Sequence, residues 1–226
     1  MRVVGYLATL GVLLIALMVA CSSSDSRESP LKAEITDDDI AAALLDEGDL
    51  PPELGDLKLE SSGERSREEL IDDSFAPEDE ARDLEQFRLV TAWESSLIAP
   101  DTDERVWVAS SVIRVYENSG SASLDYGDEL SDTASAIGSA NSDGTYLVAS
   151  ERVGIEKIGD RADGLKLTLG SDPDTSSFYM SFVFFKIDRV VAGVALFSLN
   201  EPDLIAEAHP LATALAGKIK TEFAPE

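Results

Sequence analysis

The chain holds one cysteine and one histidine in 226 residues, and only 18 Lys and Arg against 44 Asp and Glu. Each shortage excludes something. One Cys makes a disulfide framework impossible, and one His with one Cys cannot build a His₃ or Cys/His zinc site. A formal charge of −26 argues against nucleic-acid binding, because phosphate contacts need clustered Lys and Arg. There is no GxxxxGK[ST] loop, no Rossmann glycine fingerprint and no Gly-x-Ser-x-Gly elbow. The acidity is uneven. Residues 21–85 carry 22 acids and 6 bases, and residues 86–226 carry 22 acids and 11 bases. The early part is the more solvated, and the core is expected in the later part.

The amino terminus has the strongest pattern. Met1-Arg2 is a short positive segment, and Val3 to Ala20 is uncharged and mostly apolar. Met18-Val19-Ala20-Cys21 closes it, and Ser22-Ser23-Ser24 follows. This resembles the lipobox of bacterial lipoproteins, with Met18 in place of the commoner Leu. The resemblance implies cleavage before Cys21, acylation of Cys21 and a signal peptide over residues 1–20. It also implies a place in the bacterial cell envelope, on the extracytoplasmic side of a membrane, with Ser22 favouring an outer membrane where there are two. Two other readings stay open: a transmembrane anchor of 18 uncharged residues, and an ordinary secretory signal. All three export the rest of the chain.

Residues 21–35 are polar and read as a flexible tether. Residues 36–226 are expected to form one α+β domain. Thr36-Asp37-Asp38-Asp39 has the composition of a helix start, with a hydroxyl cap and early acids; Gly48 and Pro51-Pro52 stop that short helix. Residues 61–85 hold two weakly helical stretches, expected as surface excursions. Phe87–Trp93 and Arg105–Tyr116 are rich in β-branched and aromatic residues and predict a hairpin. After Ser119, the spacing of Ala122, Tyr126, Leu130, Ala134 and Ile137 predicts an internal helix. Four strands follow: Tyr146–Val153, Leu165–Leu169, Phe178–Ile187 and Val190–Leu199. Asp188-Arg189 forms a tight turn between the last two. A closing helix is expected to start at Asn200-Glu201-Pro202-Asp203, with Leu204, Ala208, Leu211, Leu215 and Ile219 as its stripe and Pro210 as a kink. Strand after strand implies an antiparallel sheet with helices packed on it. Asp49-Leu50-Pro51-Pro52, the Ile158-Gly159-Asp160-Arg161-Ala162 turn and the terminal helix resemble uncharacterised bacterial lipoproteins. They also resemble the extracytoplasmic sensor-type domains attached to some actinobacterial Ser/Thr kinases. That resemblance concerns fold and implies no catalytic residues.

The chemistry on offer is sparse. His209 is the one proton-shuttling candidate, and Pro210 follows it within a helix; a structural helix residue is the favoured reading. Cys21 is a lipid attachment point, so no thiol is left for catalysis. Asp37-Asp38-Asp39, Asp101-Thr102-Asp103-Glu104 and Asp172-Pro173-Asp174 lack EF-hand spacing. Asp172 and Asp174 are the calcium candidates to test, against the reading of an Asp-rich turn. Trp93, Trp107, Phe182 and Phe184 are candidates to line a pocket for an apolar ligand, against the reading of core packing. Two strands apolar on both faces fit either helices on both sides or an open groove. The leading expectation is a lipid-anchored, non-catalytic binding or interaction module at the cell envelope, without cofactor. Its partners would be the membrane through the N-terminal lipid, and an apolar ligand or a protein, not nucleic acid. The alternatives are a carrier or sensor with a pocket for a lipid or other apolar molecule, and an envelope hydrolase using two carboxylates.

Overall fold

The computed structural model describes residues 31–54, 56–100, 105–176 and 178–225. Cys21, the lipobox and the apolar run before it lie outside these residues. Residues 31–226 form one compact unit, with its own cores on both faces of a single sheet.

The sheet has seven strands: β1 (Lys58–Glu64), β2 (Leu89–Ile98), β3 (Val108–Tyr116), β4 (Tyr146–Val153), β5 (Arg161–Gly170), β6 (Phe178–Ile187) and β7 (Val190–Ser198). Their order is β1-β2-β3-β7-β6-β5-β4, and every pairing is antiparallel. Among the described residues the α-helices are α1 (Asp37–Ala43), α2 (Arg67–Asp73), α3 (Pro77–Gln86), α4 (Ser119–Ser135) and α5 (Ile205–Glu222), with short 3-10 turns at Glu47–Asp49 and Pro52–Leu54. The expected α+β class, internal helix and terminal helix are all present.

Side chains alternate across each strand. Val183, Phe185, Val194 and Leu196 meet α1 and α5 on one face. Phe184, Leu165 and Leu167 meet α4 on the other. Helices on both faces explain why β6 and β7 read as continuous apolar runs rather than as alternation.

Buried hydroxyls on the strands fix the loops over the first face. Ser111 Oγ accepts from the Leu45 amide at 3.1 Å, and Ser95 Oγ donates to the Leu45 carbonyl at 2.9 Å. Ser181 Oγ accepts from Leu204 N at 2.8 Å, and Ser198 Oγ accepts from Glu201 N at 2.9 Å. These acceptors satisfy the turn after β7, so α5 starts at Ile205 rather than at Asn200–Asp203. Pro210 does lie inside that helix. On α4 the expected stripe holds for Ala122 and Tyr126, both fully buried. Ile137 falls beyond the last turn and is 49% exposed, because Gly138 turns the chain at φ +90.

Leu31, the first of the described residues, is already part of the core. That side chain is buried, and Lys32 N donates to the Phe223 carbonyl at 2.8 Å. The turn at Gly159 (φ +60) is equally specific. A Cβ there would meet the Lys186 carbonyl oxygen at 2.5 Å, so only glycine fits. Asp160 Oδ2 accepts from the Asp188 amide at 2.8 Å, which ties this turn to the Asp188-Arg189 hairpin.

Candidate functional site

The second face of the sheet is only partly covered. α4 crosses one end, and α2 and α3 stand beside it. Between them lies an open cavity of about 270 Å³. Its floor is formed by buried and half-buried side chains of β5, β6 and β7: Leu165, Leu167, Met180, Phe182, Ala195 and Phe197. Phe75 and Phe87 close one side from the ends of α3.

Gly193 shapes this floor. It stands between Phe184 and Val112 in the register of β6, β7 and β3. The ring of Phe182 lies over its bare Cα and stacks on Phe184 at 5.3 Å. Phe184 in turn packs against Tyr126 of α4, with ring centroids 4.9 Å apart. The Tyr126 hydroxyl donates to Asp163 Oδ2 at 2.6 Å, and Arg152 pairs with the same carboxylate. Burial, then the bond to Asp163, pushes the Tyr126 pKa up. This pairing pins the middle of α4 to β5.

The walls are charged. Arg114 projects from β3 into the cavity and meets Glu80 of α3 at 3.2 Å and Asp125 of α4 at 3.3 Å. Burial opposes its charge, but the fields of Asp125 and Glu80 outweigh this and raise its pKa. Arg114 thus clasps the two helices to the sheet. Asp125 is 7% exposed, and besides the Arg114 guanidinium it accepts from the buried hydroxyl of Tyr116. The two stand near each other: burial first, and then the Asp125 charge, raises the Tyr116 pKa. At the other end Arg65 is held by Glu94 and by Asp73. Asp128, one turn beyond Asp125, has a raised pKa, first from burial and then from the charges of Asp83 and Asp125.

The four aromatics read as pocket candidates do not converge. Phe182 lines the cavity, and Phe184 lies beneath it in the core. Trp93 packs at the margin of the opposite face, where its Nε1 donates to Thr91 Oγ1 at 3.1 Å. Trp107 sits edge-on to Phe178 and Phe197, at 6.2 and 6.3 Å. Asp172 and Asp174 are exposed in the β5–β6 loop. Asp172 Oδ1 accepts from Asp174 N at 2.9 Å, the pattern of an Asx turn. Among the described residues no group of three or more His, Cys, Asp or Glu is placed to hold a metal ion. His209 lies on α5, over the face away from the cavity, and its Nε2 is 3.3 Å from the Glu156 carbonyl oxygen.

Glu80, Arg114, Asp125 and Asp128 were not singled out by sequence. The one available signal was Arg114 itself, a cation inside the apolar strand Val112-Ile113-Arg114-Val115-Tyr116, where a buried charge must find partners.

No protein-family model matches the chain, and no curated protein matches its sequence. Among solved structures, the extracellular domain of PknH from Mycobacterium tuberculosis is similar, with a TM-score of 0.58. The match spans 83% of this chain and 97% of that one, at 9% identity. The likeness is one of fold, and it agrees with the resemblance to extracytoplasmic sensor-type domains. Among the described residues no helix is long and apolar enough to cross a membrane.

Proposed function

We propose that this chain is a lipid-anchored extracytoplasmic binding module, without enzymatic activity, that takes a small ligand in the cavity over the Phe182 floor. The lipid is carried by Cys21, and the protein stands on the outer side of a bacterial membrane. The observation that carries the reading is the cavity. It is open, its floor is apolar, and a few buried polar groups converge on it, which is the usual anatomy of a ligand site. The fold likeness to an extracellular domain supports the compartment.

The non-catalytic reading rests on what surrounds the cavity. His209 lies on the other face of the sheet, and the single cysteine is the lipid carrier. Asp128, with its raised pKa beside Asp83 and Asp125, is the one feature that favours a carboxylate hydrolase. Asp125 is committed to Arg114 and Asp83 to Arg82, which leaves no free second carboxylate to act with it. Hydrolysis of an ester, peptide or glycoside panel, lost in Asp128→Asn, would overturn the non-catalytic reading.

The ligand itself is sought by native mass spectrometry of residues 22–226, exported and purified without lipid. A reproducible added mass that is released on denaturation is the expected result. A bare mass in every preparation, with no response of Met180 to added small molecules, overturns the ligand-binding reading and leaves a protein-interaction domain.

A further inference from the structure

Seven carboxylates and two guanidinium groups line the cavity. Both guanidinium groups are already occupied. Arg114 is spent on Glu80 and Asp125, and Arg65 on Glu94 and Asp73. No cation of the lining is left to receive an anionic head group. The excess is negative where α3 faces α4: Asp83 is paired with Arg82 and Asp125 with Arg114, and Asp128 stands beside them as the uncompensated carboxylate. The buried Asp125 carboxylate already has the Arg114 guanidinium and the Tyr116 hydroxyl as partners. Asp128, one turn further along α4, is half-buried and makes no ion pair among the described residues. A ligand that brings a positive charge beside it offsets the negative excess of the wall. Below these acids lies the Met180–Phe182–Phe197 floor, which offers apolar surface and an aromatic ring face.

We propose that the cavity binds an amphiphilic organic cation: a protonated amine set between the α3 and α4 carboxylates, with an apolar ring or short alkyl body on the Phe182 floor. This deepens the ligand-binding reading above and rests on it. A free fatty acid or an anionic lipid head group is disfavoured, because it would meet like charge across the whole wall. At about 270 Å³ the space suits one ring and a short arm rather than a long acyl chain.

Met180 makes the test direct. The sequence has three methionines, and Met1 and Met18 precede Cys21. In residues 22–226 Met180 is therefore the one methionine of the natural sequence, and it stands in the cavity floor. Its 13C-labelled methyl signal is followed while three probes of one shape are added: 2-phenylethylammonium, neutral 2-phenylethanol and anionic 3-phenylpropionate. The ammonium is expected to shift the signal and to bind at least about tenfold tighter than the alcohol, the factor that 1.4 kcal/mol of charge recognition gives. The carboxylate is expected to bind weakest. Added salt should weaken the ammonium and leave the alcohol unchanged. Asp128→Asn, at a half-buried position that leaves the Arg114 clasp intact, should lower ammonium affinity about three- to tenfold and leave the alcohol within about twofold. Equal or tighter binding of the alcohol or carboxylate overturns the cation inference while the cavity stands as a ligand site. Equal loss of ammonium and alcohol in Asp128→Asn also overturns it. No response of Met180 to any probe at millimolar concentration overturns the ligand-binding reading with it.

Discussion

Adding one methyl group to Gly193 should both strain the sheet and narrow the cavity. A Cβ at that position would stand 2.5 Å from Cε2 and 2.8 Å from Cζ of Phe182, and 3.0 Å from Cβ of Phe184. The last atom is fixed by the strand. The ring is free to move, but not sideways, because Phe184 already stacks on it at an interplanar angle of 14°. The remaining direction is outward, off the sheet and into the cavity. Overpacking of this kind costs about 1–3 kcal/mol. Replacing glycine returns about 0.4–1 kcal/mol through the unfolded chain. The net loss for Gly193→Ala is then about 1–2 kcal/mol, or roughly 2–8 °C in Tm for a domain of this size.

Thermal unfolding of residues 22–226 reads the loss, and the Met180 methyl signal reads the displaced ring. The sharper test is a double-mutant cycle with Phe182→Ala. If the clash with the ring carries the cost, removing the ring first should make Gly193→Ala nearly neutral, with a coupling of about 1 kcal/mol or more. A Gly193→Ala protein as stable as the parent would refute the steric argument. Strict additivity with Phe182→Ala would show that the cost lies in the backbone of β7 instead.

Arg114→Met keeps length and apolar stem but strips the charge between Glu80 and Asp125, leaving a buried carboxylate at Asp125 and a half-buried one at Glu80 without their shared cation. The expected loss is about 3–5 kcal/mol in urea unfolding; a loss below about 1 kcal/mol would show that the clasp is dispensable. Asp39 gives a pH-dependent prediction. Its pKa is lowered to about 2, first by the Lys32 ammonium and then by Thr36, against about 3.9 in an unfolded chain. The lowered value means a stabilising contribution that is complete above about pH 4 and is lost as pH falls through about 2. Carboxyl 13C titration of Asp39 checks this, and a midpoint near 4 would refute the ion pair.

Much of the fold was legible because its strands depend on residues that strands favour. Val112-Ile113-Arg114-Val115-Tyr116 and Phe182-Val183-Phe184-Phe185 mark their elements by β-branching and aromatic content. Asp188-Arg189 marks the tight hairpin between β6 and β7, with Asp188 at φ 51. Strand β1 was not legible. Lys58-Leu59-Glu60-Ser61-Ser62-Gly63-Glu64 has no apolar alternation, since it is an edge strand exposed at almost every position and owes its conformation to pairing with β2. The start of α5 was misplaced for a related reason. Asn200 to Asp203 has the composition of a helix cap, but the amides of Asn200 and Glu201 are satisfied by the Ser198 hydroxyl and that of Leu204 by the Ser181 hydroxyl. One of these is on a strand distant in sequence, and local propensity cannot contain it.

The cavity was obscured by abundance. Forty-four acids give no contrast from which to choose Glu80, Asp125 and Asp128, and their spacing along α3 and α4 is that of any solvated helix. Bases are few enough to be informative. A cation embedded in an apolar strand has to be neutralised by groups delivered from elsewhere in the fold. The even positions of β3 place Arg114 on the face with Val112 and Ser110, opposite the α5 face. The helices covering that face must therefore turn acids inward. That argument reaches Asp125 through Tyr126: the tyrosine fixes which side of α4 is buried, and Asp125 is its neighbour on that side. In a chain this acidic, the positions of its few buried bases are the better guide to where charge acts.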